Sequence, residues 1–282
     1  MNADVKILYS SDFYKILDFR CKCDIHSHSD IEFSENFSIS FIRSGNFIFN
    51  VFHNKLDSFN GNFLIGKPGH EHSVSHFDNN PDRCTVFSFN NSFYELLKDN
   101  YSREMTCFFN NRDISSILVK ASTETEYLHY AILKALKLDM YNSIFIDALV
   151  IEMVNIIAGN ITTDIDFIFP PSMKKYHLKS MEQAKDYMHL NYNQDISVFE
   201  IAQNALISPF HFNRLFKTFT GLTPHNYLTD IRLANANILL RHSNMPVTQI
   251  GFASGFNNAE HFSYAYKKKF NMQPSAVRKQ LK

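Results

Sequence analysis

A chain of 282 residues, 45% hydrophobic and 20% charged, has the length of two domains and the composition of an ordinary folded protein, which excludes a disordered or fibrous chain. Its 28 basic and 28 acidic residues cancel overall, yet from Lys174 onward 14 Lys and Arg stand against 6 Asp and Glu, a local charge of +8. The remainder carries −8, so a polyanionic partner is drawn to the C-terminal end and repelled by the rest.

The opening residues, MNADVKILYSSDFYKI, hold acids and no sustained apolar run, so they do not read as a secretory signal. The most apolar segment, 144–158, is too short to cross a bilayer and contains Asp147, Glu152 and Asn155. The expectation is a cytoplasmic protein with no membrane partner. The four cysteines, Cys21, Cys23, Cys84 and Cys107, are then expected as thiols rather than disulfides.

Taken in chain order, the first 91 residues break into short β-rich runs: FSISFIR, NFIFNVFHN, NFLIGKPG and CTVFSFN. Gly45, Asn60-Gly61, Pro68-Gly69 and Asn79-Asn80-Pro81 separate them, which is the punctuation of a small barrel or sandwich. Phe41, Phe47, Phe49, Phe63, Phe87 and Phe89 are candidates for its interior, either as the lining of an apolar effector pocket or as ordinary core. Helical spacing follows over 113–140 and 143–158, with Gly159 placed as the residue just past the second helix. The helical segments 132–138 and 144–157 carry apolar stripes without obvious heptads, which suit packing onto the strands. Turn residues and the Pro170-Pro171 pair then mark a linker. The predicted organisation is 1–160, linker 161–175, and 176–282, an α+β protein of two domains.

Beyond the linker the pattern predicts helices over 180–191, 197–204, 209–218, 224–242, 246–254 and 259–269. Ser208 before Pro209 reads as an N-cap with proline at N1, and Gly221 as a helix stop. Within this all-α module one unit occurs twice at an offset of about 50 residues: Phe212 matches Phe262, Phe216 matches Tyr266, Lys217 matches Lys267, and Pro224 matches Pro274. Each unit is helix, tight turn, helix, in which burying the first helix on the second leaves the second helix's far face open. In the first unit Phe212, Leu215 and Phe216 form the buried stripe, and Phe210, His211, Asn213, Arg214 and Lys217 lie opposite. Asn there suits adenine, and Arg suits guanine or phosphate. In the second unit the open face carries Ala259, Glu260, His261, Ser263, Tyr264, Lys267 and Lys268, with Glu260 placed to accept from cytosine.

The run MPVTQIGFASGFNNAEHFSYAYKKKFNMQPSAVRK resembles the signature of the AraC/XylS family of bacterial regulators, and the resemblance covers about 176–280. It implies two helix-turn-helix motifs that read successive major grooves about 34 Å apart. It further implies promoter DNA, RNA polymerase and a second copy of the chain as partners, with 132–138 and 144–157 as the candidate dimer interface, transcription activation as the role, and a cupin-like sensor half that takes a small-molecule effector. Two departures stand out: Gly251 where alanine is usual, expected to loosen that helix, and Tyr264 where a basic residue is frequent. The second unit is therefore expected to position the protein more than to specify sequence.

In the first half, His26, His28, Glu32, Gly45, Pro68-Gly69 and His72 follow the general order of the two cupin motifs, with a longer spacing from Glu32 to Gly45 than enzymatic cupins have. A cupin-type metal enzyme is the alternative function, and it requires His26, His28, Glu32 and His72 to converge on one metal. No nucleophile elbow, phosphate loop or zinc-protease helix supports other enzymology. Cys21, Cys23, His26, His28, His72, His76 and Cys84 are candidate zinc ligands by donor type, a solvated His-rich loop being the competing reading.

Overall fold

The structure, a computed structural model, describes residues 3–22, 28–52, 54–76, 81–100, 103–138, 142–161 and 171–280. The chain divides into two compact units: Met1–Thr125 with Ala131–Lys179, and Glu126–Tyr130 with Ser180–Lys282.

The N-terminal unit contains β1 (Ala3–Ser10), β2 (Tyr14–Cys21), β3 (Glu32–Ser34), β4 (Phe37–Ser44), β5 (Asn46–Val51), β6 (Asn54–Phe59), β7 (Asn62–Gly66), β8 (His70–Ser75), β9 (Arg83–Phe89) and β10 (Ser116–Lys120). Its helices are α1 (Asn91–Asn100), α2 (Arg103–Asn110), α3 (Thr123–Leu138) apart from Glu126–Tyr130, which belong to the other unit, and α4 (Ser143–Gly159). The strands form a six-stranded sheet in the order β1-β2-β9-β4-β7-β10 and a four-stranded sheet in the order β3-β8-β5-β6. The expected barrel is not closed. β1 and β10 border one sheet, β3 and β6 the other, and no ladder joins them among the described residues. The four predicted runs appear as β4, β5, β7 and β9, whereas β1, β2, β3 and β10 lie where the sequence carries no clear strand punctuation.

One expected helix is corrected. Residues 113–140 open with β10, which pairs antiparallel with β7 through Ile117↔Ile65 and Val119↔Phe63, before α3 begins. The β-branched SILVK run finds its partner more than 50 residues upstream, a pairing that local helical spacing does not reveal. A second correction concerns Gly159, which is the last helical residue of α4. The cap is Asn160 at φ −106°, so no left-handed glycine ends that helix.

The phenylalanine set does not line one interior. Ile42, Leu64 and Cys84 of the larger sheet pack on Phe47, Phe49, Val51 and Val74 of the smaller one, and this is the core between the sheets. Because successive side chains alternate between faces, the neighbours Phe41, Phe63, Phe87 and Phe89 lie on the opposite face. There Phe37 meets Tyr94 and Phe109 of α1 and α2, and Phe89 stacks on Phe93 at 4.7 Å. On α4, Ile146, Leu149, Val150, Met153, Val154 and Ile157 are buried, while Ile144 and Ile151 stay exposed. Most of the apolar stripe read as a dimer candidate is thus buried within the monomer.

Seven helices follow: α5 (Pro171–Asn191), α6 (Val198–Asn204), α7 (Pro209–Thr220), α8 (Pro224–His242), α9 (Val247–Ala253), α10 (Ala259–Phe270) and α11 (Pro274–Gln280). α5 starts nine residues before the expected 180, with Pro171 at the first helical position where a proline lacks nothing. α11 is an addition, since Pro274 was read only as a repeat position. No helix among the described residues is long and apolar enough to cross a membrane.

Candidate nucleic-acid interface

α6 and α7 are joined by the same turn as α9 and α10. In the first pair Ala205 N–H donates to Ile201 O and Ile207 N–H to Ala202 O, both at 3.0 Å. In the second, Ser254 N–H donates to Ile250 O at 2.9 Å and Phe256 N–H to Gly251 O at 3.0 Å. Leu206 and Gly255 occupy the matching left-handed position, at φ 57° and 89°. The helices after the turns begin with Phe212 N–H to Ser208 O and Phe262 N–H to Asn258 O, and both end in a left-handed cap, Gly221 or Asn271. The repeat read from the sequence is therefore a repeat of backbone geometry.

Local chemistry sets each start. Ser197 caps α6 with a capping box completed by Glu200. Ser208 stands at the N-cap of α7 as expected but makes no side-chain cap bond, so the start rests on Pro209. Asn258 caps α10 by accepting from Glu260 N–H and His261 N–H.

Packing then decides which faces remain open. On α7, Phe212, Phe216 and Phe219 are buried, Phe212 against Phe216 at 5.3 Å and Phe216 edge-on to Tyr227 of α8 at 5.2 Å. Leu215 is only half-buried, and Phe219, which the sequence reading missed, takes its place in the stripe. Phe210, His211, Asn213, Arg214 and Lys217 are exposed together, Phe210 by 86%. On α10, Phe262 and Tyr266 are buried in a core with Leu233, Ala236, Leu240, Ile250 and Phe256, and Tyr266 O–H donates to Asn237 Oδ1 at 2.8 Å. Glu260, His261, Tyr264, Lys267 and Lys268 are exposed, and Ser263 is half-buried.

Three of these groups are partly engaged within the chain. Asn213 Nδ2 donates to Pro209 O at 3.2 Å and Ser263 O–H to Ala259 O at 2.9 Å, back-bonds to the preceding turn. Glu260 sits in the first turn of α10, where an acid complements the helix dipole whether or not it reads a base. Lys269 pairs with Asp230 at 2.7 Å, which leaves Lys267 and Lys268 as the lysines presented outward. His261, Tyr264 and Lys268 line a cleft of about 370 Å³ beside α8, with Asp230 in its wall.

Gly251 has a role the sequence did not disclose. A Cβ there would lie 2.9 Å from Cδ1 and 3.1 Å from Cγ of Phe262, so the glycine lets α9 close onto α10 rather than loosening α9. Gly251→Ala is expected to lower stability by about 1 kcal/mol, since overpacking a full core costs about 1–3 kcal/mol and outweighs the roughly 1 kcal/mol helix gain. Urea unfolding measures the difference, and a stabilised variant would refute the close approach.

A helix-turn-helix domain family model matches residues 201–280. The chain is 36% identical over 98 residues to the HTH-type transcriptional activator RhaS of Klebsiella pneumoniae and 33% identical over 98 residues to that of Salmonella schwarzengrund. Through this module the chain is similar to regulators of the AraC/XylS family. Each match covers 35% of this chain and 35% of the relative, so the chain spans about a third of the length of the curated relatives it matches. A solved AraC-type transcriptional regulator from Chromobacterium violaceum is 33% identical, covers 36% of this chain and 91% of its own, and has a TM-score of 0.35. The helix-turn-helix module is centred on α8, whose buried Tyr227 serves the first helix pair and whose Leu233, Ala236 and Leu240 serve the second. Two asparagines join the second pair to that helix: Asn237 accepts from Tyr266, and Asn235 Nδ2 donates to Ser254 Oγ at 2.9 Å. Sequence reasoning missed both, because a buried asparagine has no periodic signature.

The donor-rich N-terminal residues separate. Cys23 and His26 lie outside the described residues. His28 Nδ1 is 2.8 Å from Ser75 Oγ, and His72 stacks on Phe49 with Nδ1 3.1 Å from Ser34 Oγ. Burial lowers His72 and holds His70 down at about 4, so both rings are neutral near pH 7. Among the described residues the group whose donor atoms approach one another closely enough for a metal is Cys21, His76 and Asp82. Among the described residues His28, Glu32 and His72 do not form such a group. Cys21, Cys84 and Cys107 are thiols.

Proposed function

We propose that the chain is an effector-responsive, sequence-specific transcription regulator in which α7 and α10 enter successive major grooves of promoter DNA. The duplicated turn carries this reading: the same backbone bonds occur in both pairs and leave the outer face of each second helix open. Phe210, His211, Asn213, Arg214 and Lys217 are the reading set of the first unit, and Glu260, His261, Ser263, Tyr264, Lys267 and Lys268 the contacts of the second. The excess of base over acid after Lys174 supplies attraction to phosphate. The N-terminal unit takes the sensor role of a cupin-like half, with its effector bound there. A second copy of the chain meets the exposed Ile144 and Ile151 of α4, and RNA polymerase is the partner in activation in the cytoplasm.

Selection of bound fragments from genomic DNA supplies the operator for the test. Arg214→Ala is expected to weaken operator binding by about 1–3 kcal/mol, roughly 5- to 150-fold, with the fold unchanged because the side chain is exposed. Asn213→Ala is expected to lose less, since its amide must first release Pro209 O before it can pair with adenine. Operator affinity should also fall steeply with added salt. Unchanged footprints in both variants, or a flat salt response, would overturn the assignment.

A further inference from the structure

We infer that the N-terminal unit holds a zinc site formed by Cys21, His76, Asp82 and Cys84, at a point where donors from both sheets meet. Cys21 ends β2, Asp82 immediately precedes β9 and Cys84 is its second residue in the same sheet, and His76 follows β8 of the other sheet. Cys21, His76 and Asp82 each bring one donor atom to within 4.8 Å of the other two, and all three residues are almost fully buried. Strand register is what brings Cys21, Asp82 and Cys84 together. The ladder Phe19↔Cys84, Arg20↔Arg83 continues with Cys21 N–H donating to Asp82 O at 3.0 Å. Residues directly opposite share a face, and alternation returns Cys84 to that same face.

Asp82 is the centre of the group. His76 Nε2 lies 2.6 Å from its Oδ1, and the Cys84 thiol donates to its Oδ2 at 3.6 Å. The second ring nitrogen of His76, Nδ1, is buried without a hydrogen-bond partner. Burying a carboxylate is costly unless positive charge stands beside it, which a bound cation supplies. Arg43, whose charge reaches Cys84, is itself bonded to Asp18 at 3.2 Å.

The donor types select the ion. Thiolate, imidazole and one carboxylate form the borderline-soft set that suits tetrahedral zinc, whereas calcium and magnesium require mostly oxygen. Zinc bonds run about 2.0–2.3 Å, so Cys21, His76 and Asp82 draw inward from separations within 4.8 Å, and Cys84, 3.6 Å from Asp82 Oδ2, supplies the fourth position. Binding replaces the His76–Asp82 hydrogen bond and releases the two thiol protons to solvent. The ion would then join two sheets that no ladder connects among the described residues. This site is independent of the DNA-reading proposal and stands or fails without it.

The test uses the full chain expressed without a histidine tag. Elemental analysis is expected to find about one zinc per chain, and zinc at a hundredfold excess over its Kd to raise Tm by about 5–10 °C. Cobalt titration should give a near-ultraviolet thiolate charge-transfer band with intense visible bands of tetrahedral geometry. That ultraviolet band should fall by about half in Cys21→Ser or Cys84→Ser, vanish in the double variant, and persist in Cys107→Ser, whose thiol is exposed on α2. Far-ultraviolet circular dichroism confirms that each variant is folded before it is scored. If a serine variant fails to fold, the stoichiometry and cobalt spectrum of the parent chain decide. Zinc content near zero after zinc addition, or a cobalt spectrum unchanged in the folded double variant, overturns the site.

Discussion

Lys185→Ala is expected to lower stability at pH 7 by about 3–5 kcal/mol, the cost of leaving a buried charge without its partner. Lys185 forms an ion pair with Glu126, whose carboxylate is 3% exposed and also accepts from the Tyr227 hydroxyl. Burial alone would raise the Glu126 carboxyl, yet Lys185 and the hydrogen bonds around it more than reverse that and hold it at about 2. Burial also keeps His189 below its ordinary value, so Lys185 is the counter-ion.

The pH dependence follows from the sign of that shift. A carboxyl depressed from 4.5 to about 2 contributes stability that is complete above pH 4.5 and disappears as pH falls toward 2. In Lys185→Ala the carboxyl titrates higher and can take a proton, so the deficit against the parent should narrow as pH drops from 7 to 4. Urea unfolding at the two pH values measures it. A loss below about 1 kcal/mol at pH 7, or a deficit that widens on acidification, contradicts the pairing. The double variant Lys185→Met, Glu126→Gln should recover much of the loss, because no unpaired charge remains. Since Tyr227 also packs against Phe216 of α7, operator affinity is expected to fall with stability in the single variant.

Gly255→Ala is the second large effect, with an expected loss of about 3 kcal/mol or more. A side chain there meets two obstacles. The residue is left-handed at φ 89°, which costs a non-glycine residue about 1–2 kcal/mol. Its Cβ would also lie 2.5 Å from Tyr192 O and 2.8 Å from Arg232 Nε. Neither neighbour yields easily, because Arg232 Nε donates to that same carbonyl at 2.7 Å and Nη2 donates to Gln194 O at 2.8 Å. The repeat provides its own control. Leu206 holds the matching turn position with its side chain 84% exposed, so Leu206→Gly removes left-handed strain and loses no burial. Its expected change is small, about 0.5 kcal/mol in the stabilising direction after the added unfolded-state entropy is counted. Equal losses in the two variants would mean that the turns, though alike in hydrogen bonding, are not set by these surroundings.

These variants probe features of unequal legibility. The helices of the C-terminal module were readable because their boundaries are local events: proline at N1 in Pro209 and Pro224, glycine at the left-handed cap in Gly221, and an aromatic stripe at helical spacing. The open faces of α7 and α10 follow from the same periodicity, which is why the proposed reading residues, apart from half-buried Ser263, are exposed. The duplicated pattern also carried the resemblance to the family, since one chain segment repeating another needs no knowledge of how either packs.

Tertiary structure decided whatever depends on partners distant in the chain. β10 became a strand because β7 offered it a ladder, and the phenylalanines divided between two faces because sheet register, not composition, assigns each side chain its neighbour. Asp82 joined two cysteines and a histidine although no ligand spacing announces it, since Cys21 and Asp82 meet only through the β2–β9 ladder. Glu126, more than 50 residues before Lys185, belongs to the C-terminal unit for the same reason. By itself the sequence determined where helices start and stop and which helix faces stay polar, because those are set within a few residues. Only the fold decided which buried charges, thiols and rings face one another, because burial and register are properties of the whole chain.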